Sequence, residues 1–207
     1  LKGALSAHLP PSWILRLYNA HKIDQDDPCV ILFTSGTESS PKGVPLSHHN
    51  ILENQRSAMG CIECLNTDVL YGILPPFHSF GFSVAGIFPI LSGMKCAFYP
   101  DPTDSFALAE GLARWKVTIF CGAPSFVKGL FFAAKPEQLK TVRLFVSGAE
   151  KASDEMYERV AQLKTGAQMI EGYGLTECAP IVSLMRPGEP AKGVGKPLPD
   201  VTICTIN

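Results

Sequence analysis

The sequence predicts an α/β fold of three layers, αβα, with a mostly parallel sheet in the middle. Short apolar or β-branched runs recur at residues 29–33, 68–74, 95–99, 117–120, 143–146 and 168–170, with the length and composition of buried strands. Helical patterns fill the gaps between them. Strands alternating with helices imply right-handed crossovers, and hence parallel strands covered on both faces. At 207 residues the chain is long enough for one such core.

In chain order, residues 1–27 form an N-terminal approach segment: a short helical pattern starting near Pro11, then a charged, Asp-rich link over 21–27. Residues 28–207 form the domain itself. Within it Leu108, Leu112 and Trp115 stand at i, i+4 and i+7 of the stretch 104–115, and Met156, Val160 and Leu163 repeat that spacing over 153–164. Asp104 suits an N-cap, and Ser153 precedes Asp154 and Glu155, whose charges favour a helix N-terminus. Residues 201–207 alternate like a half-buried strand that stops without turn chemistry, and the chain opens at Leu1 rather than Met, so both ends read as cut.

A net charge of -1 and a pI near 6.6 leave no clustered basic footprint, which argues against a nucleic-acid partner. The longest apolar stretch, 84–98, is too short to cross a bilayer and is interrupted by Gly86, Pro89, Gly93 and Lys95, so no transmembrane segment is expected. Seven cysteines, an odd number mostly inside apolar runs, suit a reducing, cytoplasmic compartment. Cys61 and Cys64 form a C-x-x-C pair, the pattern of a redox-active site or half a zinc site, but no second C-x-x-C or His pair at ligand spacing accompanies it.

A parallel sheet binds ligands at the carboxyl ends of its strands. The first run leads directly into Thr34, Ser35, Gly36, Thr37, Glu38, Ser39, Ser40, Pro41, Lys42, Gly43 and Val44, which hold five hydroxyls, two glycines and one lysine. Small residues let backbone N–H groups approach phosphate oxygens, hydroxyls add donors and the lysine adds charge. The alternative is a solvated Ser/Thr-rich surface loop. A Walker A loop is excluded, since it would need Gly at Pro41 and Ser or Thr at Gly43.

Three further segments follow strands. The stretch 74–81 carries His78 beside Phe77, Ser79 and Phe80; a His there can hydrogen-bond a reacting carboxylate or be a satisfied core residue. Ser147, Gly148, Ala149 and Glu150 make a strand-to-helix turn. In Glu171, Gly172, Tyr173, Gly174, Leu175, Thr176 and Glu177, two glycines bracket an aromatic, and a hydroxyl and a carboxylate follow. Gly193 to Pro199 reads as a structural turn.

Taken in order, these segments resemble the adenylate-forming superfamily of acyl-CoA synthetases, luciferase and peptide-synthetase adenylation domains. The Thr37-Glu38 pair and Ala149-Glu150-Lys151 are similar to the bacterial acyl-acyl-carrier-protein synthetases, often fused to a 2-acylglycerophosphoethanolamine acyltransferase. Ser39 departs from the usual Gly and should stiffen the loop. The resemblance implies that residues 28–207 are a fragment of the large N-terminal, AMP-binding domain. It also implies ATP and Mg²⁺ as cofactors, and a fatty acid activated as acyl-AMP for a phosphopantetheine thiol, that of acyl carrier protein or CoA. A lysophospholipid would be a further partner through the fused acyltransferase, at the inner face of the membrane.

Catalytic roles fall by resemblance to Lys42, His78, Thr176 and Glu177, with Glu177 holding Mg²⁺, Thr176 on the α-phosphate and Tyr173 stacked on adenine. Nucleotide contacts fall to Thr34, Ser35, Gly36, Thr37, Glu38, Ser39, Lys42, Gly148, Ala149, Glu150, Glu171, Gly172, Tyr173, Gly174 and Thr176. Phe126, Phe131, Phe132 and the apolar stretch 80–91 could wall an acyl tunnel or be plain core. The family's ribose-binding aspartate, hinge and C-terminal lysine domain are expected beyond residue 207, leaving this stretch little ligase activity alone. A non-catalytic nucleotide-binding or scaffold module is the alternative, against which Lys42 and Glu177 argue. His21 and Asp26 match the H-x-x-x-x-D spacing of glycerolipid acyltransferases, but lie in the charged link.

Overall fold

The structure, a computed structural model, describes residues 9–34, 40–190 and 193–206. Helix α1 (Pro11–Leu17) starts at a proline, as expected, and buries none of its residues. Strands β1 (Pro28–Thr34) and β2 (Lys42–Ser47) form a separate two-stranded sheet. Helix α2 (His48–Met59) follows, then β3 (Val69–Gly72). Helix α3 is composite: α over Ser79–Gly81, π over Phe82–Ile87 and α again over Phe88–Ser92. Then come β4 (Lys95–Phe98), α4 (Ser105–Trp115), β5 (Ile119–Gly122), α5 (Pro124–Ala133), α6 (Pro136–Leu139) and β6 (Leu144–Ser147). The chain closes with α7 (Asp154–Gln162), β7 (Gln168–Gly174), a 3₁₀ turn (Thr176–Cys178), β8 (Ile181–Leu184) and β9 (Lys196–Pro197).

The main sheet has strand order β4-β3-β5-β6-β7-β8-β9. Its first five strands are parallel, and β8 and β9 are antiparallel additions. Alternation along β5 shows why both faces are covered: Phe120 packs with α4, α5 and α7, while Ile119 and Cys121 pack on the opposite face with Phe88 of α3. Phe120 is wholly buried, with Tyr71 and Phe145 at ring centroid distances of 6.3 and 6.2 Å. Burying each such side chain contributes about 1.5–3 kcal/mol. The chain runs from β3 outward to β4 and then back across β3 to β5, so the winding direction reverses between β3 and β5. Their carboxyl ends form the crevice where open α/β sheets take ligands.

The opposite end of the sheet is tied by charge. Asp68, 1% exposed, accepts from Arg143 Nε at 2.8 Å, Thr118 Oγ1 at 2.7 Å and the Leu65 N–H at 2.8 Å. Burial pushes the Asp68 carboxyl up, but these hydrogen bonds outweigh it and hold the group below its ordinary range.

Helix α4 bears out its sequence reading: the Asp104 side chain accepts from the Ala107 N–H at 3.0 Å. Four expectations need correction. The run 29–33 is not a buried strand of the parallel sheet but half of an antiparallel hairpin, with Ile31 and Phe33 57% and 68% exposed. Its partner β2 takes in Lys42, Gly43 and Val44, read as the end of the loop, and continues through Pro45, a proline tolerated where every strand is an edge. Residues 171–174 are not a loop but the end of β7, where the strand leaves β6 and pairs with β8. Residues 201–206 form no strand.

Candidate functional site

Two assemblies carry the residues singled out by the sequence. One is built on the sheet. The loop after β3 brings His78 to the N-cap of α3, where its Nδ1 accepts from the Phe80 N–H at 3.2 Å. With Nδ1 so occupied, Nε2 is the nitrogen left to carry a proton. The loop then passes so close to the helix that a Cβ on Gly81 would stand 2.0 Å from the Pro75 carbonyl oxygen, so only glycine fits. After β6, Ala149 takes φ 72°, a left-handed conformation that costs a non-glycine residue about 1 kcal/mol.

His78, Gly148, Ala149, Gly172, Tyr173 and Gly174 all line one cavity of about 100 Å³. Its remaining walls are mostly apolar: Leu70, Ile119, Cys121, Leu144 and Val146 from the sheet, with Val84 and Phe88 from α3, and Ser147 at the end of β6. Tyr173 is 46% exposed, leaving part of its ring open to a ligand. Ser79, buried beside His78, also lines the cavity and was not singled out from the sequence. Its signal was a hydroxyl next to the histidine.

The other assembly stands off the sheet. Thr34 and Lys42 are Cα partners in the hairpin ladder, facing each other where the chain leaves and re-enters it. Ser35, Gly36, Thr37, Glu38 and Ser39 lie outside the described residues. A cluster of Leu32, Leu46, Ile51 and Ala179 joins the hairpin, α2 and the turn after β7. That turn carries Thr176 and Glu177. Thr176 Oγ1 donates to Ser79 Oγ at 3.0 Å, which links the two assemblies. Glu177 is exposed and lines a second cavity of about 450 Å³, whose polar lining includes His49, Glu53, Asn54, Ser57 and Asp200 and whose apolar lining includes Leu198 and Val201.

Among the described residues, no group of three or more His, Cys, Asp or Glu side chains could cage a metal. One exposed carboxylate still fits Mg²⁺, which binds through one or two carboxylates and completes its shell with phosphate oxygens and water.

Glu171 does not reach the cavity with its carboxylate. It is buried, accepts from the Ala152 N–H at 2.7 Å and Tyr157 Oη at 2.6 Å, and so braces the loop after β6 from behind. Burial, then that hydrogen bond, pushes the Tyr157 phenol up. Glu150 is exposed and is not among the residues lining the cavity. Phe131 belongs to the core on the other face of the sheet with Phe126 packed against it, and Phe132 is 86% exposed, so none of the three walls the cavity. Cys61 and Cys64 are both free thiols, and Cys61 Sγ donates to the Ser57 carbonyl. His21 and Asp26 lie exposed before the hairpin.

The pattern of AMP-binding enzymes matches residues 4–207. The long-chain-fatty-acid–CoA ligase of Bacillus subtilis (strain 168) is 30% identical over 167 residues, covering 77% of this chain and 29% of that protein. The 4-coumarate–CoA ligase 2 of Oryza sativa subsp. japonica is 30% identical over 175 residues, covering 78% and 29%. Among solved structures, ATP-bound MatB from Rhodopseudomonas palustris gives a TM-score of 0.76 at 30% identity over 86% of this chain and 35% of that one. A malonyl-CoA ligase ternary product complex with methylmalonyl-CoA and AMP gives 0.73 at 30% identity, covering 85% and 39%. The chain thus spans 29% of the length of both curated relatives.

Proposed function

The chain belongs to the AMP-binding enzyme family, and on that premise we propose that the full-length product of its gene activates a fatty acid with ATP and passes the acyl group to a thiol. In this reading a carboxylate oxygen bonds to the α-phosphorus of ATP, the bond from that phosphorus to the bridging oxygen breaks, and pyrophosphate leaves. The thiolate then attacks the acyl carbon and AMP departs. The observation that supports this most is the shared cavity: His78, Gly148, Ala149 and Tyr173 stand on one pocket whose walls are mostly apolar.

Each residue has a physical task. Tyr173 offers a face to adenine, and the backbone at Gly148 and Ala149 offers polar groups to its edge. The Nε2–H of His78 can donate to the reacting carboxylate, and Thr176, on turning its hydroxyl from Ser79 Oγ, can donate to the α-phosphate, where charge shifts as the bond forms. Lys42 supplies positive charge to the polyphosphate, with Thr34 opposite it on the hairpin. Glu177 would hold Mg²⁺, which when bound neutralises phosphate charge. The apolar walls between α3 and the sheet suit a hydrocarbon chain.

For the acceptor, CoA is supported by the names of the relatives, which are CoA ligases. Acyl carrier protein, with a lysophospholipid acyltransferase alongside at the inner membrane face, is supported only by the likeness at Thr37-Glu38 and Ala149-Glu150-Lys151. Exchange of labelled pyrophosphate into ATP, driven by fatty acid in the full-length product, tests the first step. Exchange with some chain length is expected, and none with short, medium or long acids would refute adenylation. Supplying the thiols separately then distinguishes CoA from carrier protein.

A further inference from the structure

Asn54 lies in the interior of α2 and is 9% exposed. Asparagine has modest helix propensity, and a buried amide is costly unless its hydrogen bonds are made. Here they are made to one short stretch of backbone. Nδ2 donates to the Cys178 carbonyl at 3.1 Å and the Ile181 carbonyl at 2.7 Å, and Oδ1 accepts from the Ile181 N–H at 3.1 Å. That backbone continues directly from Thr176 and Glu177.

The turn lies between β7 and β8 and is closed on itself, the Leu175 N–H donating to the Pro180 carbonyl and the Cys178 N–H to the Leu175 carbonyl, both at 2.9 Å, while Ala179 takes a left-handed φ of 64°. Those bonds set its shape; Asn54, bonded to Cys178 and to Ile181 where β8 begins, ties it to α2. The helix that supplies Asn54 also follows directly on β2, whose first residue is Lys42. One turn before Asn54, Ile51 packs with Leu32 and Leu46 of the hairpin and with Ala179. Helix α2 is therefore a bracket, with the hairpin gripped by apolar contact and the turn gripped by hydrogen bonds.

We infer that Asn54 is a positioning residue: it fixes the Thr176–Glu177 turn relative to Lys42, so that Mg²⁺ and the polyphosphate meet donors already in place. This rests on the adenylation reading above. Preorganised groups stabilise charge without reorganising, and partners behind a metal ligand set how well it binds.

The test is calorimetry of ATP binding to the full-length product, with Mg²⁺ and with chelator, beside thermal unfolding and pyrophosphate exchange. Asn54→Asp keeps the shape but sets a carboxylate oxygen against two carbonyls, and Asn54→Ser shortens the side chain. In both, the tightening of ATP binding by Mg²⁺ should fall about tenfold or more, while Mg²⁺-free binding and the KM for the acid shift less than about twofold. Raised Mg²⁺ should partly restore the kcat of exchange. An unchanged Mg²⁺ effect, equal weakening with and without Mg²⁺, or failure of both variants to fold would overturn the positioning role. A wild-type protein without Mg²⁺-dependent ATP binding or exchange would instead remove the adenylation reading, and this inference with it.

Discussion

The sheet-borne and off-sheet halves of the site are held by different forces. Gly148 and Ala149 follow β6, whose Leu144, Phe145 and Ser147 are buried, Tyr173 stands on β7 beyond buried Ile170, and His78 caps α3 beside buried Ser79, so all four are anchored to the core. Lys42, Thr176 and Glu177 stand on a hairpin and a turn joined by four buried apolar residues and one amide. The sheet half resembles a fixed wall, and the other half a bracket that can be loosened without unfolding the domain. Proteins open locally where buried contacts are few, and ligand-binding loops are drawn from that end of the range.

Substitutions should separate the halves. Phe120→Ala removes a ring from the centre of the core and should cost about 3–5 kcal/mol, lowering the main thermal transition of the whole domain. Leu46→Ala, in the four-residue cluster, should cost about 2–3 kcal/mol, but locally. Hydrogen exchange should then quicken at β1 and β2 and stay slow at β5 and β6. Equal quickening in both sheets would remove the distinction between the halves.

A smaller effect concerns acid. The Asp68 carboxyl sits below its ordinary range in the folded state, so its stabilisation is complete above the unfolded value near about 3.9 and is lost as pH falls through the folded one. Asp68→Asn should cost about 1–3 kcal/mol at neutral pH, with the gap from the wild type closing below about pH 4 in unfolding titrations. The smallest effect is expected at Ala149, where glycine relieves the left-handed strain but adds freedom to the unfolded chain, so thermal stability should change by less than about 1 kcal/mol.

The sheet half was more legible in the sequence than its counterpart. Strand runs and helical spacing are local signals, and α4 with its Asp104 cap was readable from them. The hairpin was not, because Gly43 and Pro45 disguise β2, and whether a strand pairs antiparallel or parallel depends on residues far away in the chain. Helix α2 had a signal in Ser47 and Asn50, which form a reciprocal capping box. Asn54 had none, since its partners lie 124 and 127 residues away. Glu171 was assigned to the nucleotide because motif membership does not reveal side-chain direction: strand alternation sends it to the face of α7, away from Ile170 and the apolar cavity side.

The most direct test is a crystal structure of the full-length product with a non-hydrolysable acyl-adenylate analogue. The adenine should lie against Tyr173 and the backbone of Gly148 and Ala149, with the acyl chain between α3 and the sheet and the phosphate mimic beside Thr176. An analogue bound away from this cavity, or with its acyl chain on the face of Phe131, would contradict the assignment.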